Sequence, residues 1–209
     1  RSCQRPTLAQ CASLGELLAR MHLAVADFTP RRASTRGADW REVTAARLMR
    51  RAGPADLSLL REELSLQATG PLAGLPGGAV HGDLFHDNLL FDGPSPCGVI
   101  DFYYAADEAF IYDLAVAVSD ACFTAGRCDL ARVGAVLRAY RAVRAVSAAE
   151  IAAWPTALRA AGLRFWLSRL HDALFRKAGG MVLIKDPAAP RAVVLAARRE
   201  PERLQACWG

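Results

Sequence analysis

His81-Gly82-Asp83-Leu84-Phe85-His86-Asp87-Asn88, followed by Ile100-Asp101-Phe102, decides how this chain is read. Short apolar runs enclose these polar residues: Ala79-Val80-His81 before them, then Asn88-Leu89-Leu90-Phe91 and Gly98-Val99-Ile100-Asp101. The last two runs are separated by Asp92-Gly93-Pro94-Ser95-Pro96, a strong turn signal. The spacing therefore predicts a small hairpin with a polar loop ahead of it. Asp83 stands five residues before Asn88, and Asp101 follows on the return strand. Phosphoryl transfer from a nucleotide needs such a set. One carboxylate orients the attacking hydroxyl and accepts its proton, while an amide oxygen and a second carboxylate hold Mg²⁺ on the phosphates.

Taken one at a time these residues say less. His81 reads as a core histidine, Asp92 as a turn former and Asn88 as a strand-end cap. His81, Asp83, His86 and Asp87 also cluster as a metal site would, but catalytic zinc wants three ligands converging from rigid elements. The spacing matches neither H-E-x-x-H nor a paired-cysteine site. The order of the residues on a strand–loop–strand–turn–strand frame carries the reading.

Around this frame the pattern is helical, so the expected class is α+β, mostly α. Leu8, Cys11, Leu14, Leu18, Met21 and Val25 recur at three- and four-residue steps, one face of a helix with Thr7 as N-cap. Asp39 with Glu42 resembles a capping box opening a second helix through Arg51, and a third runs from Pro54 to Gln67. The Gly/Pro-rich segment Thr69 to Gly78 ends this block. Further helices are expected at Ala109–Phe123, Leu130–Val143 and Ala148–Phe175, then Ala188–Leu204. Ser147 and Glu150 form a capping box for the third of these, which Pro155 is expected to split. The expectation is one domain over residues 1–209.

With 53% hydrophobic and 22% charged residues, the 209-residue chain is globular rather than disordered. The net charge of +5 is scattered, with no basic stripe interleaved with aromatics, which argues against a nucleic-acid partner. The six cysteines show no C-x-x-C spacing and mostly sit in apolar runs, so a reducing, cytoplasmic setting is expected. Asp113 interrupts the best apolar stretch, Ala109 to Val118, so no membrane span is expected.

His81-Gly82-Asp83-x-x-x-x-Asn88 followed by Ile100-Asp101-Phe102 resembles the aminoglycoside-phosphotransferase and choline-kinase branch of the protein-kinase-like fold. The resemblance implies ATP and Mg²⁺, with Asp83 as the catalytic Asp and Asn88 and Asp101 as Mg²⁺ ligands. It places Leu90 under the adenine and Ile100 in the same pocket. It also makes Asp113 a buried brace behind the loop, though a carboxylate favoured by a helix N-terminus is the ordinary alternative. A narrower likeness spans nearly the whole chain. Val80 to Asn88, Ile100 to Ala105, Leu163-Arg-Phe-Trp-Leu-Ser-Arg-Leu170 and Lys185-Asp-Pro187 resemble the bacterial homoserine kinases of this fold. That implies transfer of the γ-phosphate of ATP to the hydroxyl of L-homoserine, a step toward threonine. Other acceptors of the same fold (choline, an aminoglycoside, another small alcohol) and a non-catalytic kinase-shaped module are the alternatives.

A small amino-acid alcohol needs a cation for its carboxylate and an anion for its ammonium. Arg164 and Arg169 offer fork-shaped donors, and Asp107 and Glu108 offer carboxylates; each serves equally as a surface charge or structural ion pair. Tyr103, with Tyr104, shapes the pocket or packs on the core. His86 orients phosphate or substrate, or simply holds the loop. A kinase of this kind also needs a glycine-rich loop and a strand Lys on the phosphates. The first Lys here is Lys177, and Gly70, Gly74, Gly77 and Gly78 carry no G-K-[ST] ending. The expectation is the large, C-terminal lobe with the small nucleotide lobe absent from the chain. Such a fragment would be inactive alone, and its uncovered apolar surface leaves self-association open.

Overall fold

A computed structural model describes residues 2–3, 5–175 and 185–209; Lys177 lies outside them. The architecture is α+β and mostly helical: α1 (Leu8–Ala24), α2 (Ala38–Leu48), α3 (Pro54–Ala68), β1 (Gly77–Val80), β2 (Leu89–Asp92), β3 (Ser95–Val99), β4 (Ala106–Ala109), α4 (Phe110–Ala121), β5 (Phe123–Thr124), β6 (Arg127–Cys128), α5 (Leu130–Val143), α6 (Ala148–Phe175), α7 (Ala188–Arg199) and α8 (Pro201–Gln205). None of the described helices is long and apolar enough to cross a membrane.

The core lies where α1, α4, α5 and the first half of α6 meet. Leu14, Leu18, Leu114, Val118, Val136, Leu137, Trp154 and Leu158 are buried there in one cluster. Gly15 is what lets α1 lie against α5, since a Cβ on it would come within 2.2 Å of the Val136 carbonyl oxygen. A second cluster joins α2 and α3 to the later turns of α6 and to α7 through Leu48, Leu60, Leu163, Trp166, Leu167 and Val194. Across it, Arg159 of α6 makes two 2.9 Å bonds to the buried Glu63 of α3. Arg198 of α7 adds a third at 2.8 Å.

The caps expected at Thr7 and at Ser147–Glu150 both form, and Gln10 adds at the first a box that was not expected. The Thr7 hydroxyl accepts from the Gln10 N–H while the Gln10 side chain accepts from the Thr7 N–H. Ser147 and Glu150 do the same at the start of α6. Three expectations are corrected. The cap of α2 is Gly37, which offers no side-chain bond, and Asp39 sits inside the first turn, where a carboxylate still favours the helix dipole. Pro155 does not split α6: the helix runs unbroken from Ala148 to Phe175. A proline inside a helix costs about 3 kcal/mol, and full burial of Trp154, Ala157, Leu158 and Ala161 around it offsets that loss. The last helix, in contrast, ends at Arg199. Glu200 lies before Pro201 and is pushed to φ −132°, outside the helical region, so α8 starts afresh.

The strands form three antiparallel pairs: β1 with β4, β2 with β3, and β5 with β6. The β2–β3 hairpin is the predicted one, turning at Gly93 with φ +57°. The β1–β4 pair was not foreseen, because Ala-Asp-Glu-Ala carries no strand pattern. Its register sets Gly78 opposite Glu108 and Val80 opposite Ala106. This ladder brings the end of β1, the 81–88 loop and the start of α4 together.

Candidate active site

The loop that leaves β1 at His81 is held from behind by one carboxylate. Asp113, fully buried in the first turn of α4, accepts from the Gly82 N–H at 2.7 Å and the His81 N–H at 3.1 Å. His22 of α1 reaches the same carboxylate through Nε2 at 3.1 Å, and its Nδ1 meets the Tyr140 hydroxyl at 2.7 Å. Burial pushes the Asp113 carboxyl up, but the hydrogen bonds from His22 and the two backbone N–H groups outweigh it, holding it below the ordinary range. Gly82 takes φ +73°, and a Cβ there would meet the Tyr104 carbonyl oxygen at 2.9 Å. Only glycine fits that turn.

His81 joins loop to hairpin. Its Nδ1 accepts from the Asp83 N–H at 3.2 Å and its Nε2 lies 3.0 Å from the Ile100 carbonyl oxygen, contacts that a ring protonated on Nε2 satisfies together. Asn88 Nδ2 donates to the Asp83 carbonyl at 2.9 Å, and the Ile100 N–H donates to the Asn88 carbonyl at 3.0 Å. The Asn88 amide is thereby fixed by its nitrogen, which leaves Oδ1 as its acceptor end. Asp101, next along, is exposed and adopts a left-handed backbone, φ 64° and ψ 61°. Its carboxylate accepts from the Tyr103 N–H at 3.4 Å, opening a single 3₁₀ turn. Asp83, Asn88 and the residue before Asp101 are thus linked by hydrogen bonds within one frame.

Arg164 enters from α6, 81 residues away along the chain, and bonds the Asp83 carboxylate at 2.9 Å. Its guanidinium is buried and lies over the rings of Phe165 and Tyr104, at 3.8 and 4.9 Å from their centres. Burial raises the Asp83 pKa; the charges of Arg164 and Lys185 pull it down without cancelling that rise. The other end of the loop is tied as well. Asp120 of α4 accepts from the His86 N–H at 2.7 Å and meets His86 Nδ1 at 2.8 Å. His86 Nε2 lies 2.8 Å from Asp87, which in turn pairs with Lys185 at 2.6 Å. The bond to Asp120 raises the His86 pKa above its usual value, and burial only partly opposes it.

The remaining candidates lie further out. Leu90 is half-buried on β2, while Ile100, Phe102 and Tyr103 form an exposed apolar edge, with Tyr103 70% accessible. Asp107 is engaged elsewhere: its carboxylate accepts from Arg31 and from the Arg32 N–H, each at 2.6 Å. Arg169 donates to the Asp186 carbonyl at 3.1 Å and sits 5.9 Å from the Phe85 ring centre. Sequence reasoning missed His22, Asp120 and Gln67. The first two had a signal: His22 continues the buried Leu14–Leu18 face of α1, and Asp120 repeats Asp113 two turns later on an apolar helix. Among the described residues no three His, Cys, Asp or Glu side chains converge as a metal cluster.

Comparisons with known proteins give the family and the fold. A homoserine kinase of Methylobacillus flagellatus is 43% identical over all 209 residues. The chain spans 66% of that relative's length. Among solved structures, a choline/ethanolamine kinase family protein from Mesorhizobium loti superposes with a TM-score of 0.66 at 18% identity, over 95% of this chain and 66% of that one. An amicoumacin kinase in complex with AMP-PNP and Ca²⁺ gives 0.61 at 16% identity, over 99% of this chain and 63% of that one. These likenesses show a protein-kinase-like fold. The profile of the Phosphotransferase enzyme family matches residues 4–146, and the chain belongs to that family.

Proposed function

We propose that this chain is the catalytic lobe of an ATP-dependent kinase that phosphorylates the side-chain hydroxyl of L-homoserine, a step toward threonine. The observation that carries the reading is the bonded frame in which His81 and Asn88 tie Asp83 to the residue preceding Asp101. In this reading Asp83 orients the acceptor hydroxyl and takes its proton, and Arg164 keeps the carboxylate ionised against its burial. Asn88 Oδ1 and the Asp101 carboxylate hold Mg²⁺. An amide oxygen and one carboxylate completed by phosphate oxygens suit that hard cation. Bound there, Mg²⁺ would neutralise charge on the transferred phosphoryl group. Leu90 and Ile100 supply the apolar face for the adenine. Asp113, His81 and His86 act through the loop, holding its backbone.

The choice of acceptor rests on the Methylobacillus relative, which matches along the whole chain. Choline or an aminoglycoside is the competing acceptor, favoured by fold alone. Since the chain covers two thirds or less of these proteins, we assign the glycine-rich loop and phosphate lysine to a small lobe outside residues 1–209. The exposed Ile100, Phe102 and Tyr103 are the edge that lobe would cover. The 209 residues alone should then turn over poorly and tend to self-associate. A cytoplasmic location fits six free thiols. ADP release by the full-length protein, measured with L-homoserine, choline and an aminoglycoside, tests the acceptor. A rate with L-homoserine no higher than with the others would sink the homoserine reading.

A further inference from the structure

A cavity of about 450 Å³ lies between the 31–41 segment, the 70–78 segment, β4 and the middle of α6. Its volume falls in the range of roughly 300–1,000 Å³ usual for small-molecule sites. The wall carries both signs of charge. Asp107 and Arg31 neutralise each other there, and the Asp107 N–H donates to the Arg32 carbonyl at 2.8 Å, so this pair closes the loop onto β4. That leaves Arg36, Arg41 and Glu108. Arg36 stacks over Trp40 at 4.6 Å and donates to the Tyr104 hydroxyl at 3.1 Å. Burial raises the Glu108 carboxyl, opposed by the charge of Arg41 and a hydrogen bond from Ser34.

One more group on the wall has no partner at all among the described residues. Gln67, near the end of α3, is 7% exposed, and its buried Nε2 makes no hydrogen bond. Buried amide nitrogens are nearly always paired, so turning this one toward the cavity would give it the acceptor it lacks. Two chains of contact lead from the cavity toward Asp83. Ala160 on its wall is one helical turn before Arg164, or about 6 Å along α6. The Tyr104 ring lies between the two sites, bonded to Arg36 on one side and covered by Arg164 on the other.

We propose that this cavity holds the charged end of an α-amino-acid acceptor: Glu108 takes the ammonium, while Arg41 and the Gln67 amide take the carboxylate, with the hydroxyl directed past Tyr104 to Asp83. A carboxylate, two guanidinium groups and an amide donor in one pocket suit a zwitterion. A lone quaternary ammonium would leave Arg41 and Gln67 without use. The assignment deepens the kinase reading above and rests on it. It also gives Asp107 a positioning duty, as the anchor of the loop that carries Ser34 and Arg36.

The test is calorimetric titration of L-homoserine into the full-length protein and its Glu108→Gln and Gln67→Leu variants, beside steady-state kinetics. Both variants should bind the amino acid about tenfold or more weakly, with kcat and the KM for ATP little changed. In 4-hydroxybutyrate, which lacks the ammonium, Glu108→Gln should cause no further loss. Wild-type affinity retained in both variants, equal losses of the two acceptors in Glu108→Gln, or no binding of L-homoserine at all would overturn the cavity assignment. Binding that depends on Glu108 and Gln67 without any phosphotransfer would uphold the cavity and sink the kinase reading instead.

Discussion

The 81–88 loop and the cavity next to it are built from similar residues but satisfied to different degrees. In the loop, Asp113 is bonded by two backbone N–H groups and His22, His81 engages both ring nitrogens, and His86 lies between two carboxylates. In the cavity, Glu108 is half-buried with its pKa raised and Gln67 Nε2 bonds to nothing described. A polar network that closes on itself fixes geometry; one that stays open keeps donors and acceptors to spare. The first kind suits groups that must hold reacting atoms in place. The second suits recognition, where the ligand completes the hydrogen bonds.

Substitutions on the two sides should therefore behave differently. The largest effect is expected at the centre of the loop: Asp83→Asn should lower kcat of the full-length protein by about 10²–10⁴-fold while sparing Mg·ATP affinity. Unchanged turnover would refute the base assignment. Next comes the brace. Asp113→Ala leaves two loop N–H groups and His22 Nε2 unpaired in a dry interior, and should destabilise the protein by about 3 kcal/mol in a denaturant titration. Since its carboxyl is held low, this support is present above the unfolded carboxylate pKa and is lost only as pH falls through the lowered value. A loss below about 1 kcal/mol would mean that the loop holds itself.

Arg164 offers a smaller and directional test. With the Asp83 pKa raised by burial, activity should fall on the acid side at a pH above the ordinary carboxylate range. Arg164→Gln removes one of the charges that pull it down, so the acid limb of kcat/KM should move to higher pH. A limb that stays put would show that the guanidinium does not act on Asp83. The smallest effect belongs to the open side. Gln67→Leu removes a buried unpaired amide, so the ligand-free protein should keep its stability or gain up to about 1 kcal/mol. A clear loss in thermal denaturation would mean that Gln67 already has a partner, and the contrast between loop and cavity would fail.

Much of this frame is legible along the chain because it is local. Thr7 and Gln10, or Ser147 and Glu150, are three residues apart, and a capping box needs nothing else. The Asp92–Ser95 turn and its flanking apolar runs specify the β2–β3 hairpin in the same way. Expectations drawn from single residues fared worse. Pro155 was given too much weight and Pro201 too little, since a proline's effect depends on what packs around it. Asp107 and Arg169 were chosen for charge alone, and charge does not reveal which partner a side chain already has.

The sequence by itself determined most of the helices and the hairpin, because period, caps and turn chemistry are short-range. Only the tertiary structure decided that β4 pairs with β1, that Arg164 reaches Asp83 from 81 residues away, and that Gln67 is buried unpaired beside Glu108. Those facts depend on which distant groups exclude water from one another. A polar residue's role follows from the partners that burial leaves it, and these are set by packing.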